Sequence, residues 1–107
     1  MNAADILRAA ANKLEGGHWI QYELAVISST NQAVSAADPD ADRWCAWGAV
    51  RSVAPRGRYT QAQNRAITAL TNFTGTTSLT IGRWNDTPGR TEAEVVAALR
   101  SAAASLD

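Results

Sequence analysis

Between Trp84 and Thr91 the chain reads Trp-Asn-Asp-Thr-Pro-Gly-Arg-Thr, and no other segment constrains the fold as tightly. Pro88-Gly89 fits the central positions of a type II turn, where glycine supplies a positive φ. Asn85 and Asp86 are residues that bond local backbone. Thr91-Glu92-Ala93-Glu94 has the form of a capping box, in which two side chains satisfy backbone N–H groups that a helix start leaves open. The chain must therefore turn and launch a helix at once. The helix predicted over 92–106 places Val95, Val96, Leu99, Ala102, Ala103 and Leu106 on one face. Such a face has to be covered by other elements of the same chain.

Similar punctuation recurs upstream. Thr60-Gln61-Ala62-Gln63 is a second capping box, followed by Ala62, Ala66, Ile67, Leu70 and Phe73 at helical spacing and by a stop at Gly75. Residues 3–15 read as a helix with Asn2 as N-cap and Asp5 in the first turn; Gly16-Gly17 ends it. Asp38-Pro39-Asp40 predicts another helix start, with Ala41, Trp44, Cys45, Gly48 and Ala49 on one face and Pro55 and Gly57 at its end. A mid-helix glycine costs about 1 kcal/mol relative to alanine, so Gly48 predicts the close approach of another element. Within 18–28 the period drops to two: Tyr22, Leu24 and Val26 alternate with Gln21, Glu23 and Ala25, which predicts a strand. Gln32–Ser35 is its expected return strand, after a turn at 28–31. Thr76–Arg83 reads as extended or loop. The expected architecture is mostly α: about four packed helices with one small β-hairpin between the first two, in a single globular domain over 1–107. Alanine and glycine in the contact faces imply closely spaced helices.

Composition narrows the function classes. Formal net charge is zero, which gives no global field for nucleic acid or a membrane surface. Nine of the ten basic residues are arginine, with Lys13 the exception. The single cysteine, Cys45, can form neither an intrachain disulfide nor a cysteine-based zinc site, and fits a reducing, cytoplasmic location. No apolar run approaches a membrane span and no signal peptide is visible. No cofactor is implied.

Arg43-Trp44-Cys45-Ala46-Trp47-Gly48-Ala49-Val50 and the run from Trp84 to Arg100 resemble a family of small proteins of unknown function found in actinobacteria, other bacteria and their phages. The family pattern has a first helix ending before Gly-Trp, a Trp-Cys-x-x-Gly-Ala helix, and a final Trp-Asn-Asp-x-Pro-Gly-Arg-Thr helix start. Here His18 stands between Gly17 and Trp19, a departure from that pattern. The resemblance covers most of the chain and implies a bacterial or phage setting, without an activity or a catalytic residue.

Each candidate site has a structural competitor. In the 84–91 segment, turn chemistry accounts for Asn85, Asp86, Pro88, Gly89 and Thr91, while Arg90 is not required by it. An Asp86–Arg90 ion pair would staple the loop. The helix start could attract an anion, but Glu92 and Glu94 already complement its dipole and repel phosphate. Asp38-x-Asp40-x-Asp42 begins like a calcium loop, yet Arg43 and Ala49 stand where glycine and glutamate are needed. Cys45 reads as a small buried hydrophobe before a nucleophile. Arg51, Arg56, Arg58 and Arg65 with Tyr59 are a weak nucleic-acid signal, set against zero net charge. Trp44 and Trp47 lie three apart on neighbouring helix faces, so either one of them borders a pocket or interface or the tryptophans together fill the core of a small domain.

These readings favour a small non-catalytic binding protein, an accessory factor in a phage or bacterial setting. Trp47, Trp84, Asn85, Asp86 and Arg90 are its expected recognition surface. The expected partner is another protein, a second copy of the chain, or a small nucleotide-like ligand, and not a membrane. The alternatives are a small enzyme using Cys45 or Asp86 with His18, and nucleic-acid binding through the Arg51–Arg65 segment.

Overall fold

A computed structural model describes residues 1–53 and 60–107. Among these, five helices surround an alanine-rich core, with a small three-stranded antiparallel sheet at one side. The helices are α1 (Ala3–Leu14), α2 (Ala46–Ser52), α3 (Gln61–Thr74), α4 (Ile81–Asn85) and α5 (Glu92–Ala104). The strands are β1 (Ala25–Ile27), β2 (Gln32–Val34) and β3 (Arg43–Trp44), in the order β2-β1-β3. The fold is therefore mostly α, as expected. Its small sheet carries one more strand, and its helical layer one more short helix, than the sequence signals suggest. No helix among the described residues is long and apolar enough to cross a membrane.

Helix α1 lies at the centre and packs on α5, α3 and α2. Its inward face is Ala3, Ala4, Ile6, Leu7, Ala10, Ala11 and Leu14, and α5 answers with Val95, Val96, Ala98, Leu99, Ala102 and Ala103. Small side chains at so many of these positions let the helix axes approach closely. Leu7, Leu14, Leu70, Ile81 and Leu99 supply the bulk. The expected caps form. Asn2 Oδ1 accepts the Asp5 N–H at 2.8 Å. Both capping boxes close in full, at Thr60–Gln63 and Thr91–Glu94. Phe73 and Leu106, expected in the core, are instead 54% and 39% exposed. Leu106 lies beyond the end of α5, and the α3 face is completed by Ala69 and by the amide of Gln63, which donates to Val50 O at 3.1 Å.

Three expectations are corrected. The Asp38-Pro39-Asp40 run does not start a helix. Asp38 Oδ1 accepts the Asp40 N–H at 2.8 Å, a local Asx turn, and Asp42 Oδ1 accepts the N–H and hydroxyl of Ser28 at 2.9 and 2.8 Å. Trp44 is extended instead of helical: its N–H donates to His18 O at 2.9 Å and its carbonyl accepts the Ile20 N–H at 3.1 Å. That pairing across two segments outcompetes a helical turn, and α2 starts only after Cys45. The helix-ending residues Pro55 and Gly57 lie outside the described residues.

The alternation within 18–28 is also misleading. Tyr22 has φ +73°, which breaks the extended path. Tyr22 and Leu24 end up 72% and 38% exposed, while the adjacent Ala25 and Val26 are both buried. Only Ala25–Ile27 forms a strand, paired with β2 in the register Ala25↔Val34. Finally, Thr76–Arg83 is not extended throughout. Thr77 and Thr80 bond one another's backbone and hydroxyl groups, and Ile81 buries itself as the first residue of α4. The loop expected there holds over 76–80, where threonine hydroxyls close turns, and gives way to helix from Ile81.

Gly48 sits where an element approaches, as the sequence predicts, although it lies in the first turn of α2 and not in mid-helix. A Cβ there would lie 2.0 Å from the carbonyl oxygen of Leu24, which meanwhile accepts the Cys45 N–H at 3.2 Å. The glycine admits the 22–25 backbone onto the start of α2.

Candidate functional site

The 84–91 segment is first of all a clamp. Asn85, the last residue of α4, is 1% exposed, and its amide uses both lone pairs and both hydrogens. Its Oδ1 accepts Trp19 Nε1–H at 2.8 Å and the Ala46 N–H at 2.9 Å. Its Nδ2 donates to Ile20 O at 3.1 Å and to Asp86 Oδ1 at 3.0 Å. One side chain thus joins the 19–20 segment, the start of α2 and the end of α4. Gln21 returns the contact, its Nε2 donating to Asn85 O and Thr87 O, each at 3.1 Å. Glu92 in the first turn of α5 accepts the N–H groups of Gly17 and Trp19 at 3.1 and 3.3 Å. Residues 17–22 have little regular secondary structure, so their backbone groups need such partners.

The turn that launches α5 forms as the sequence requires. Arg90 N–H donates to Thr87 O at 2.9 Å across Pro88-Gly89, and Gly89 has φ +85°. Arg90 does not pair with Asp86. Its guanidinium lies 4.3 Å over the Trp84 ring, Nε donates to Trp84 O at 2.9 Å, and Nη1 sits 3.4 Å from Glu94 Oε2. Stacking on the ring and bonding to a carbonyl leave the guanidinium turned away from Asp86, which has its own partners.

The five expected site residues are therefore not one surface. Asn85 has no donor or acceptor left for a ligand. Trp84 and Arg90 pair with each other. Trp47 and Asp86 meet elsewhere, at a groove of about 280 Å³. Its apolar walls are Trp47, Tyr22, Leu24, Leu79 and Ile81, and its polar groups include Asp86, Glu23 and the thiol of Cys45. Asp86 Oδ1 accepts the Tyr22 N–H at 2.8 Å in addition to Asn85 Nδ2–H. Asp86 Oδ2 accepts no hydrogen bond from the described residues. Leu79 is 91% exposed at the groove's rim. The sequence carried a signal for Trp47, whose neighbour Trp44 takes the core position, but none for Tyr22, Leu24 and Leu79. A strand pattern hid the first two, and a polar run hid the third.

Cys45 is the N-cap of α2, and its Sγ accepts the Gly48 N–H at 3.3 Å. Burial pushes its thiol above the ordinary range, and the nearby Asp86 carboxylate acts in the same direction against the pull of the Gly48 N–H. His18 is exposed, and its Nδ1 meets Asp42 O at 2.9 Å. No hydrogen bond joins His18 to Cys45 or to Asp86. Of the basic segment, Arg51 is half-buried near the end of α2 and Arg65 is exposed on α3; Arg56, Arg58 and Tyr59 lie outside the described residues.

Lys13 and Trp44 form a separate contact. The Lys13 ammonium lies 4.4 Å over the Trp44 ring and donates to Ser52 Oγ at 2.9 Å, while burial lowers its pKa. The indole N–H of Trp44 is buried and has no hydrogen-bond partner among the described residues. No group of three or more metal-ligating side chains occurs among the described residues.

No curated protein and no solved structure matches the chain. A family model does, over residues 1–105, and by that match the chain belongs to a family of unknown function, DUF6197.

Proposed function

We propose that this protein is a non-catalytic interaction module that docks a segment of another protein in the groove between Trp47, Tyr22 and Leu79. The observation that carries the reading is Tyr22. A bulky aromatic rarely adopts positive φ, and such a backbone costs on the order of 1–3 kcal/mol. Here that cost accompanies a ring held outward into solvent beside two exposed leucines, with the backbone N–H pinned by Asp86. Strained residues of this kind concentrate at ligand clamps and switch regions. Exposed apolar side chains gathered at one groove are the usual mark of a docking surface.

Two features favour a protein segment over a nucleotide-like ligand. The groove is an open cleft of about 280 Å³, at the bottom of the roughly 300–1,000 Å³ range of sites that enclose drug-sized molecules. Its carboxylates, Asp86 and Glu23, repel phosphate. Against catalysis stand a thiol held protonated by burial and a histidine bonded elsewhere. The bacterial or phage setting implied by the motif resemblance fits an accessory factor that docks on a host protein.

The test places a photo-crosslinking amino acid at Leu79 in cells of the source organism, with Arg65 on α3 as the control position. A discrete protein adduct at Leu79, absent at Arg65 and lost with Trp47→Ala, is expected. A dimer-sized adduct would make the partner a second copy of the chain. The variant Tyr22→Gly should lose the adduct while its thermal stability holds or rises by about 1 kcal/mol, since glycine relieves the positive φ. Equal labelling at both positions, or a Tyr22→Gly variant that keeps the adduct, would refute the reading.

A further inference from the structure

We infer that the groove accepts a cationic side chain, a guanidinium or alkylammonium of the docked segment, with Asp86 and Glu23 as its counter-charges. This rests on the docking reading and names the chemistry of its occupant.

Charge is the first argument. Asp86 and Glu23 are acidic, and none of the described lining residues is Lys, Arg or His. A small concavity of one sign with apolar walls concentrates its field on whatever enters. That field reaches the groove floor: the Asp86 charge contributes to raising the Cys45 thiol.

The second argument is preorganisation. Asp86 is not a freely rotating surface acid. Its Oδ1 is held by the Tyr22 N–H and by Asn85 Nδ2–H, and Asn85 is itself locked by three further bonds. Fixing one oxygen fixes the other, and Oδ2 has no donor among the described residues. An incoming N–H group would complete its hydrogen bonding. A charge-assisted bond to a fixed carboxylate is about twice as strong as a neutral one.

The third argument is shape. A long basic side chain pairs an apolar stem with a charged tip. The walls of Trp47, Tyr22, Leu79 and Ile81 suit the stem, and aromatic faces also attract the cation. The molecule uses that chemistry internally where Arg90 lies over Trp84 and Lys13 over Trp44.

The experiment is an NMR titration of the intact, isotope-labelled protein with three capped tripeptides, Leu-Arg-Leu, Leu-citrulline-Leu and Leu-Glu-Leu. The probes are the amides of Tyr22 and Gly82 and the indole N–H of Trp47. The arginine peptide is expected to shift all three and to bind about tenfold more tightly than the isosteric neutral citrulline peptide. The glutamate peptide should bind least. Glu23→Gln, at an exposed residue whose side chain makes no hydrogen bond with the described residues, should weaken the arginine peptide about two- to threefold and leave the citrulline peptide unchanged. Equal binding of the arginine and citrulline peptides would overturn the cation assignment and leave the docking groove standing. Absence of shifts at all three probes with every peptide would overturn both.

Discussion

Asn85→Ala is the substitution that weighs the clamp most directly. Truncation removes four hydrogen bonds at once, to Trp19 Nε1, Ala46 N, Ile20 O and Asp86 Oδ1. Asp86 keeps the Tyr22 N–H and loses least. The Ala46 N–H is fully buried, and stranding such a donor costs about 1–3 kcal/mol. Trp19 and Ile20 are half-buried, so water recovers part of their loss. Summed with the cavity left by the amide, the cost is about 3–5 kcal/mol. Total stability for a domain of this size is about 5–15 kcal/mol, so a large share of it hangs on one side chain. Urea unfolding followed by tryptophan fluorescence and by circular dichroism measures it. With an m-value of about 1.5 kcal/mol/M, the midpoint should fall by about 2 M or more with the slope unchanged. Asn85→Asp separates hydrogen bonding from shape. It retains an acceptor but sets a second carboxylate against Asp86, where Nδ2 now donates at 3.0 Å. Repulsion raises the folded-state pKa of that pair above its unfolded value, so this variant loses further stability as pH rises from about 4 to 7. An Asn85→Ala cost below about 1 kcal/mol would refute the clamp. So would an Asn85→Asp variant whose deficit does not change with pH.

Gly48→Ala gains helix propensity of about 1 kcal/mol yet drives a methyl to 2.0 Å from the Leu24 carbonyl, and backbone cannot swing aside. The expected net loss is about 2–4 kcal/mol, a fall in melting temperature of about 10 °C or more, and a neutral result would show that the 22–25 backbone is loosely held. Three exposed carboxylates are held below their ordinary values: Glu94 by the Thr91 N–H and hydroxyl, Glu15 by Arg100, and Asp42 by Ser28. Depressed folded-state values mean that the unfolded chain binds more protons. Their contribution is complete above about pH 5 and disappears as pH falls toward about 3, and Glu94→Gln should flatten that part of a stability–pH curve. Cys45 should react with a thiol reagent at pH 8 at least about a hundredfold more slowly in the folded protein than in urea, because burial disfavours its thiolate; equal rates would contradict its place under the groove.

What the sequence made legible has a common physical basis. Asn2, Thr60–Gln63, Thr91–Glu94, Gly75 and the Pro88-Gly89 turn all act on partners within a few residues, so spacing alone reveals them. The misread features act over long separations. Asn85 reaches Trp19 and Ala46, Glu92 reaches Gly17, and Asp86 reaches Tyr22, and no local period encodes any of these pairs. Glu92 was expected to complement a helix dipole, which it does from its place in the first turn of α5, yet the same carboxylate also holds the backbone of 17–19. The density of polar residues in 84–91 suggested a ligand surface. Much of that polarity is spent within the fold: Asn85 is buried, and Asp86, Arg90 and Thr91 bond backbone groups of neighbouring segments.

This arrangement decides how function can be probed. Asp86 serves both roles, since one oxygen holds Tyr22 in its strained backbone while its carboxylate lines the groove. Loss of binding on changing Asp86 or Asn85 would therefore report the fold as much as the surface. Trp47, Glu23 and Leu79 differ in kind. Their side chains make no hydrogen bond with the described residues, and Glu23 and Leu79 are exposed. Glu23→Gln and Leu79→Ser should leave stability within about 0.5 kcal/mol, as surface substitutions away from special features generally do. If the groove is a recognition site for a cationic segment, those two variants weaken binding without losing stability. If instead they lose stability and binding in proportion, Tyr22 is strained for the sake of the fold, and the outward aromatic is a by-product of the Asn85 clamp.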